Sequence, residues 1–187
     1  MKYLIVGLGN IGDQYTNTRH NIGFNVLDAL AKASNIHFED KRFGFIANLP
    51  YRGRKYILLK PSTYVNLSGK AVQYWMQKEK IPLDKLLVVA DDISLPFGVL
   101  RLRKKGGDGG HNGLMNIIQV LGSQTWARFR FGVGNDFPSG AQVHYVLSKW
   151  TEEESEQLPE RIKTSGEIIK YFGFHGIDQT MNMFNNK

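Results

Sequence analysis

Cysteine is absent from the 187 residues, which removes disulfide bracing, a thiol nucleophile and any cysteine-based zinc site. Long apolar runs are absent as well. No stretch approaches the roughly 20 residues that span a bilayer, and Tyr3-Leu4-Ile5-Val6, directly after Met1-Lys2, is far shorter than the apolar core of a secretion signal. Proline is scarce, at 6 residues, and no Pro/Gly/Ser linker, low-complexity tract or internal repeat divides the chain. Acidic residues are outnumbered: 17 Asp+Glu against 24 Lys+Arg give a formal net charge of +7, which weakly favours an anionic partner. What is present, 42% hydrophobic and 22% charged residues, is the composition of an ordinary globular protein and not of a disordered, collagen-like or coiled-coil chain. The expectation is one domain over residues 1–187, soluble and cytoplasmic, with no membrane association.

The apolar patterning alternates between strands and helices. Tyr3–Gly7 and Leu86–Ala90 read as buried strands, and Ile22, Val26, Leu27 and Leu30 have helical spacing within Ile22–Ala33. Phe45–Leu49 and Tyr56–Leu59 flank Pro50-Tyr51-Arg52-Gly53, a hairpin signal. Gly69–Lys78 and Leu114–Leu121 read as helices. Val99–Arg103 and Trp126–Val133 interleave apolar and basic residues, as strands with one wet face do. Thr151 and Glu154 fit a capping box opening a helix to about Phe172, and a short terminal helix contains Met181 and Phe184. The fold class that follows is α/β, a three-layer αβα sandwich around a mixed, mostly parallel sheet, with chemistry on the loops beyond strand ends.

Five segments stand on such loops. Val6-Gly7-Leu8-Gly9-Asn10-Ile11-Gly12 matches a dinucleotide fingerprint in form. The helix that would meet a pyrophosphate does not start within it, and the acidic residue expected about 20 positions on, at the end of a second strand, is missing. His20 lies in the polar run after it and has the pKa range of a general base; being solvated or capping a helix is its ordinary alternative. Asn66, in Lys60–Gly69, is either a helix N-cap or an amide offered to a peptide-like ligand. Asp91-Asp92 ends the second buried strand; adjacent residues point opposite ways, so one faces inward, and an aspartate orienting a histidine fits better than a metal ligand. Arg101–Gly113 joins basic residues to a glycine-rich loop that is not a P-loop. With Arg128 and Arg130 it forms either a solvated edge or a stripe for a nucleic-acid backbone.

Together these segments resemble bacterial peptidyl-tRNA hydrolase, through VGLGNIGDQYTNTRHNIGF (6–24), KPSTYVNLSGKAV (60–72), DDISLPFGVLRLR (91–103), GGDGGHNGL (106–114) and RFRFGVG (128–134), in the family's order. The resemblance implies hydrolysis of the ester between a peptide and the terminal ribose of tRNA, recycling peptidyl-tRNA dropped in translation. It implies His20 as general base, Asp92 as its supporting carboxylate and Asn10 in recognition of the blocked substrate. By the same resemblance, Tyr15, Tyr64, Asn66 and Asn112 match positions that line the family's site and contact the substrate's 3′ end or peptide backbone, and Arg103, Arg128 and Arg130 fall in its basic, tRNA-facing region, with the acceptor stem and 3′ end as the expected partner. A monomer without metal or organic cofactor is expected. Val65, Ile11, Asp91 and Asp108 depart from the family's usual residues. His111, in the glycine-rich loop, is a candidate to support the site and is assigned no chemistry of its own. Two other classes stay open: a nucleic-acid-binding protein of this fold without turnover, and a dinucleotide enzyme.

Overall fold

The computed structural model describes residues 1–185. Its strands are β1 (Lys2–Gly7), β2 (Glu39–Lys41), β3 (Gly44–Tyr51), β4 (Arg54–Pro61), β5 (Leu86–Asp92), β6 (Leu100–Arg103) and β7 (Ala127–Gly132). Its helices are α1 (Ile22–Ala33), α2 (Ser68–Glu79), α3 (Asn112–Leu121), α4 (Gln142–Val146) and α5 (Glu152–Phe184). Among the described residues seven strands form one sheet in the order β2-β3-β4-β1-β5-β7-β6. The central strands β4, β1, β5 and β7 pair in parallel, while β2, β3 and β6 add antiparallel pairings toward the edges. This is the mixed sheet that the sequence pattern predicts.

Buried on both faces, the central strands must be apolar throughout. In β1, Leu4 and Val6 pack with Val72 and Trp75 of α2 and Ile117 of α3, and Tyr3 and Ile5 pack against Val26 and Leu27 of α1 and Ile169 and Phe172 of α5. The apolar stripe of α1 is fully seated: Ile22, Val26, Leu27 and Leu30 are all buried. Each such side chain contributes about 1.5–3 kcal/mol. Two helical layers thus enclose the sheet.

Glycine governs how closely α1 sits on β1. A Cβ on Gly23 would lie 2.4 Å from the Leu8 backbone N, and one on Gly7 would lie 2.3 Å from the Gly23 carbonyl. Gly7 therefore serves close packing, and α1 starts only at Ile22, after two short 3₁₀ turns, Asp13–Tyr15 and Arg19–Asn21. A nucleotide fingerprint needs its helix inside the motif; here no helix starts in Val6–Gly12, and the first turn begins only at Asp13.

The hairpin is longer than predicted. β3 runs through Pro50 to Tyr51 and turns at Arg52-Gly53, both with positive φ, the geometry of a two-residue hairpin turn. Pro50 is tolerated because β2 pairs only with Gly44–Ile46, so no ladder bond is lost on that side. The capping box opening α5 is present: Thr151 Oγ1 accepts from Glu154 N, and Thr151 N donates to Glu154 Oε1. The break before the terminal turns falls at Gly176 (φ 78°, ψ 173°), later than the predicted boundary near Phe172. The strand β2 and the helix α4, three and five residues long, carry too few residues for a periodicity.

Candidate active site

The carboxyl ends of β1 and β5 and the amino end of α3 meet around a cavity of about 660 Å³. His20 enters from the 3₁₀ turn before α1. Its Nδ1 lies 3.0 and 2.9 Å from the two carboxylate oxygens of Asp91, at the end of β5. The same carboxylate takes a second contact, 2.8 Å, from His111 Nε2.

The sequence reading named Asp92 as the partner of His20, and the structure corrects this to Asp91. Strand alternation explains the difference. Asp91 shares the face of Leu87 and Val89, which is covered by α1, and the turn carrying His20 leads into α1. Asp92 shares the opposite face with Ala90. The β5–β7 register sets Ala90 beside Arg130, so Asp92 and Arg130 are diagonal neighbours on one face. The Asp92 carboxylate accepts from Arg130 Nε and from Ser94 N and Oγ. Asp91, read as a departure from the family pattern, is thus the residue that supports the histidine.

His111, to which the sequence reading gave no chemistry, fixes the proton arrangement. It caps α3: its Nδ1 accepts from the backbone N–H groups of Gly113 and Leu114. With that lone pair used, the hydrogen sits on Nε2 and is donated to Asp91. Asp91 therefore accepts from two imidazoles, and His20 bonds it through Nδ1–H, leaving Nε2 as a lone pair for the cavity that the ring lines. The two rings stand 5.0 Å apart. Burial pulls the His20 pKa down, but the charge of Asp91 and its hydrogen bond outweigh this and hold it above 6.5. Burial likewise pushes Asp91 up; the two histidines overcome it and hold the carboxyl well below 3.8. His20, Asp91 and His111 also bring one ligating atom each within 4.8 Å of the others, the one such group among the described residues. Their contacts of 2.8–3.0 Å are ordinary hydrogen-bond lengths.

Asn10 is clamped beside this pair. Its backbone N donates to Asn21 Oδ1 and its carbonyl accepts from Asn21 Nδ2, while its own Oδ1 accepts from Val65 N at 2.8 Å. The remaining Nδ2 hydrogens are free, among the described residues, to meet a ligand in the cavity that Asn10 lines. Tyr64, Asn66 and Asn112 line the same cavity and are exposed. Asn66 lies inside the turn Val65–Leu67 and α2 starts after it, so it is not the N-cap. Tyr15 does not join them: it is half-buried in the turn Asp13–Tyr15, outside the cavity lining.

Of the basic residues, Arg103 is exposed on the rim beside Lys105. Arg130 reaches the cavity but is paired with Asp92. Arg128 does not belong to a phosphate-facing stripe. It is buried, its guanidinium donates to the carbonyls of Gly106, Gly107, Gln124 and Trp126, and it stacks 3.9 Å over the Trp126 ring. Burial, then the Arg130 charge, push its pKa down to about 10. Arg128 holds the glycine-rich loop in place.

An imidazole lone pair held toward an open cavity by a buried carboxylate is equipped to take a proton from water beside an electrophile, and the class that fold and site define together is a hydrolase on an α/β sandwich. The profile of the peptidyl-tRNA hydrolase family matches residues 4–187. The chain is 60% identical to the peptidyl-tRNA hydrolase of Bacteroides fragilis and 61% identical to that of Phocaeicola vulgatus, over 187 residues and the full length of both partners in each comparison. It superposes on the crystal structure of peptidyl-tRNA hydrolase from Acinetobacter baumannii with a TM-score of 0.91 and 32% identity, covering 98% of this chain and 94% of that one. The chain belongs to the peptidyl-tRNA hydrolase family.

Proposed function

We propose that this protein hydrolyses the ester between a peptide, or an N-blocked aminoacyl group, and the 3′-terminal ribose of tRNA, with His20 as general base and Asp91 as its carboxylate. The observation that carries the reading is the His20–Asp91–His111 chain of hydrogen bonds, which leaves one imidazole lone pair facing an amide-lined cavity. His20 Nε2 takes a proton from water as the water attacks the ester carbonyl; Asp91 holds the ring in the required tautomer and stabilises the imidazolium that forms. Proton transfer of this kind contributes roughly 10²–10⁴-fold. The free amide hydrogens of Asn10 are placed to meet the backbone of the blocked aminoacyl group, and Tyr64, Asn66 and Asn112 present further contact to the peptide or the 3′ end.

The ester is common to all tRNAs, so base reading is unnecessary. Arg103 and Lys105 at the cavity supply sequence-independent charge for the acceptor stem, with Arg130 held in its pair with Asp92, and binding weakens with salt. The physiological setting is recycling of peptidyl-tRNA released from stalled ribosomes in the cytoplasm. Among the described residues no helix is long and apolar enough to cross a membrane.

The test is turnover of N-acetyl-aminoacyl-tRNA against the unblocked aminoacyl-tRNA. Release of the blocked amino acid, with little or none from the free form, supports the reading. Tight tRNA binding without release from either substrate would leave a binding protein of this fold, and overturn it.

A further inference from the structure

We propose that Arg19 is a positioning residue for His20, and that its ion pair with Glu154 ties the start of α5 to the geometry of the site. The inference rests on the function proposed for His20. Side chains of a 3₁₀ turn project about 120° apart, and in Arg19–Asn21 each of the three goes to a different anchor. Asn21 clamps the backbone of Asn10, His20 bonds Asp91, and Arg19 points away from the cavity into the segment before α5.

Arg19 is the more elaborately held of the three. Its guanidinium donates to Glu154 Oε1 and to the Lys149 carbonyl, both at 2.8 Å, and to Ser148 Oγ. It lies 4.2 Å from the centre of the Tyr145 ring and 5.6 Å from that of Trp150. The backbone follows the side chain: Arg19 N donates to the Ser148 carbonyl, and Thr18 bridges to Lys149. The ion pair is withdrawn from solvent, with side-chain exposures of 5% for Arg19 and 15% for Glu154. Glu154 Oε1 also accepts from Thr151 N, so one carboxylate joins the α5 cap to the turn that carries the base.

This fastening fits positioning better than simple stabilisation because of what it holds. The turn is pinned on one side by Asn21, which clamps Asn10, and on the other by Arg19, so loss of the Arg19 anchor leaves the turn free to swing His20 off Asp91. The groups facing the His20 ring are Asp91 from β5 and His111 from the start of α3; neither restrains the turn's backbone. The same anchor holds part of the cavity lining: Tyr145 packs on Arg19, and its neighbours Val143, Val146 and Leu147 line the cavity.

The test uses Arg19→Lys and Glu154→Gln, with Thr151→Ala as a control that weakens the α5 cap and leaves the Arg19 contacts intact. Each variant is assayed on N-acetyl-aminoacyl-tRNA well below its Tm, and the His20 ring is titrated by NMR. Arg19→Lys and Glu154→Gln are expected to lower kcat roughly 10-fold with KM nearly unchanged. In both, the His20 titration moves to lower pH, because a displaced ring loses Asp91 while staying buried. Thr151→Ala is expected to lower Tm and leave kcat and the titration unchanged. Wild-type kcat and titration in the folded Arg19→Lys and Glu154→Gln proteins would overturn the proposal, as would an equal kcat loss in Thr151→Ala. The titration reads ring placement without turnover, so it distinguishes failure here from failure of the proposed reaction, which would show as a His20→Ala protein that still hydrolyses substrate.

Discussion

Replacing Asp91 by Asn removes one charge and one acceptor, and the hydrogen-bond arrangement fixes the consequence. Two N–H groups converge on the carboxylate, from His20 Nδ1 and His111 Nε2. An asparagine offers one oxygen and one NH₂, so one imidazole is left facing a donor. His111 cannot change tautomer, because its Nδ1 is occupied by the Gly113 and Leu114 N–H groups. His20 is therefore the ring that changes, placing its hydrogen on Nε2 and its lone pair on the amide, which removes the base from the cavity. The lost charge adds to this: two unit charges about 3 Å apart interact by about 5 kcal/mol at an effective dielectric constant of about 20, of which desolvation of the buried pair offsets a part. Loss of about 4–5 kcal/mol of stabilisation of the imidazolium corresponds to roughly 10³–10⁴ in rate. The expected result in a single-turnover assay on N-acetyl-aminoacyl-tRNA is a kcat lower by roughly that factor, with tRNA affinity preserved. Asp92→Asn, which keeps an acceptor for Ser94, removes the charge partner of Arg130 and leaves the histidines untouched, is expected to stay within about 3-fold of wild type, the scale of a partly exposed ion pair. Equal losses in the two variants, or a larger loss in Asp92→Asn, would refute the reasoning.

The pH dependence has a definite sign. In the proposed reaction His20 works as the free base, and the charge and hydrogen bond of Asp91 raise its pKa above 6.5 against the pull of burial, so kcat/KM is expected to fall on the acid side with a midpoint above 6.5; a midpoint below it contradicts the pairing with Asp91. In stability, raised His20 contributes fully below 6.5 and loses its contribution as pH rises through its folded value, while depressed Asp91 contributes above 3.8 and loses its contribution as pH falls through its folded value. Thermal melts of wild type and Asp91→Asn are thus expected to differ most at about pH 5 and less at about pH 8.5. Arg128→Ala, which strips four carbonyls of their donor, is expected to destabilise the fold by roughly 3 kcal/mol, read by denaturant unfolding. Arg103→Ala is expected to leave Tm unchanged and to reduce the salt slope of tRNA binding by about 1. Gly23→Ala drives a methyl to within 2.4 Å of the Leu8 backbone and is expected to destabilise by roughly 3 kcal/mol or more; a wild-type melt for it would contradict the close β1–α1 contact.

The architecture was legible wherever a single rule dominated. The α1 stripe, the hairpin turn and the α5 capping box are local signals, and the structure carries all three. The choice between Asp91 and Asp92 was not legible, because β5 is apolar on both faces through Ala90 and nothing in it tells which face α1 will cover. Alternation says that the two carboxylates part; only topology says which one meets His20. Arg128 looked like part of a basic stripe because Arg128 and Arg130 alternate with Phe129 and Phe131, yet the carbonyls of the glycine-rich loop, distant in sequence, draw its guanidinium inward. The role of His111 was only partly legible for a related reason: it depends on capping α3, and the signal lay in Gly110-His111 directly before Asn112, where the apolar helix starts. Tyr15 resembled a site residue by its place in a motif, and the turn Asp13–Tyr15 carries it away from the cavity lining.

The most direct measurement is the rate at which His20→Ala releases the blocked amino acid from N-acetyl-aminoacyl-tRNA, with tRNA binding followed on the same preparation. A loss of roughly 10²–10⁴-fold or more in release, with binding intact, is the expected result. Release at the wild-type rate by a folded, tRNA-binding His20→Ala protein would contradict the assignment of the base.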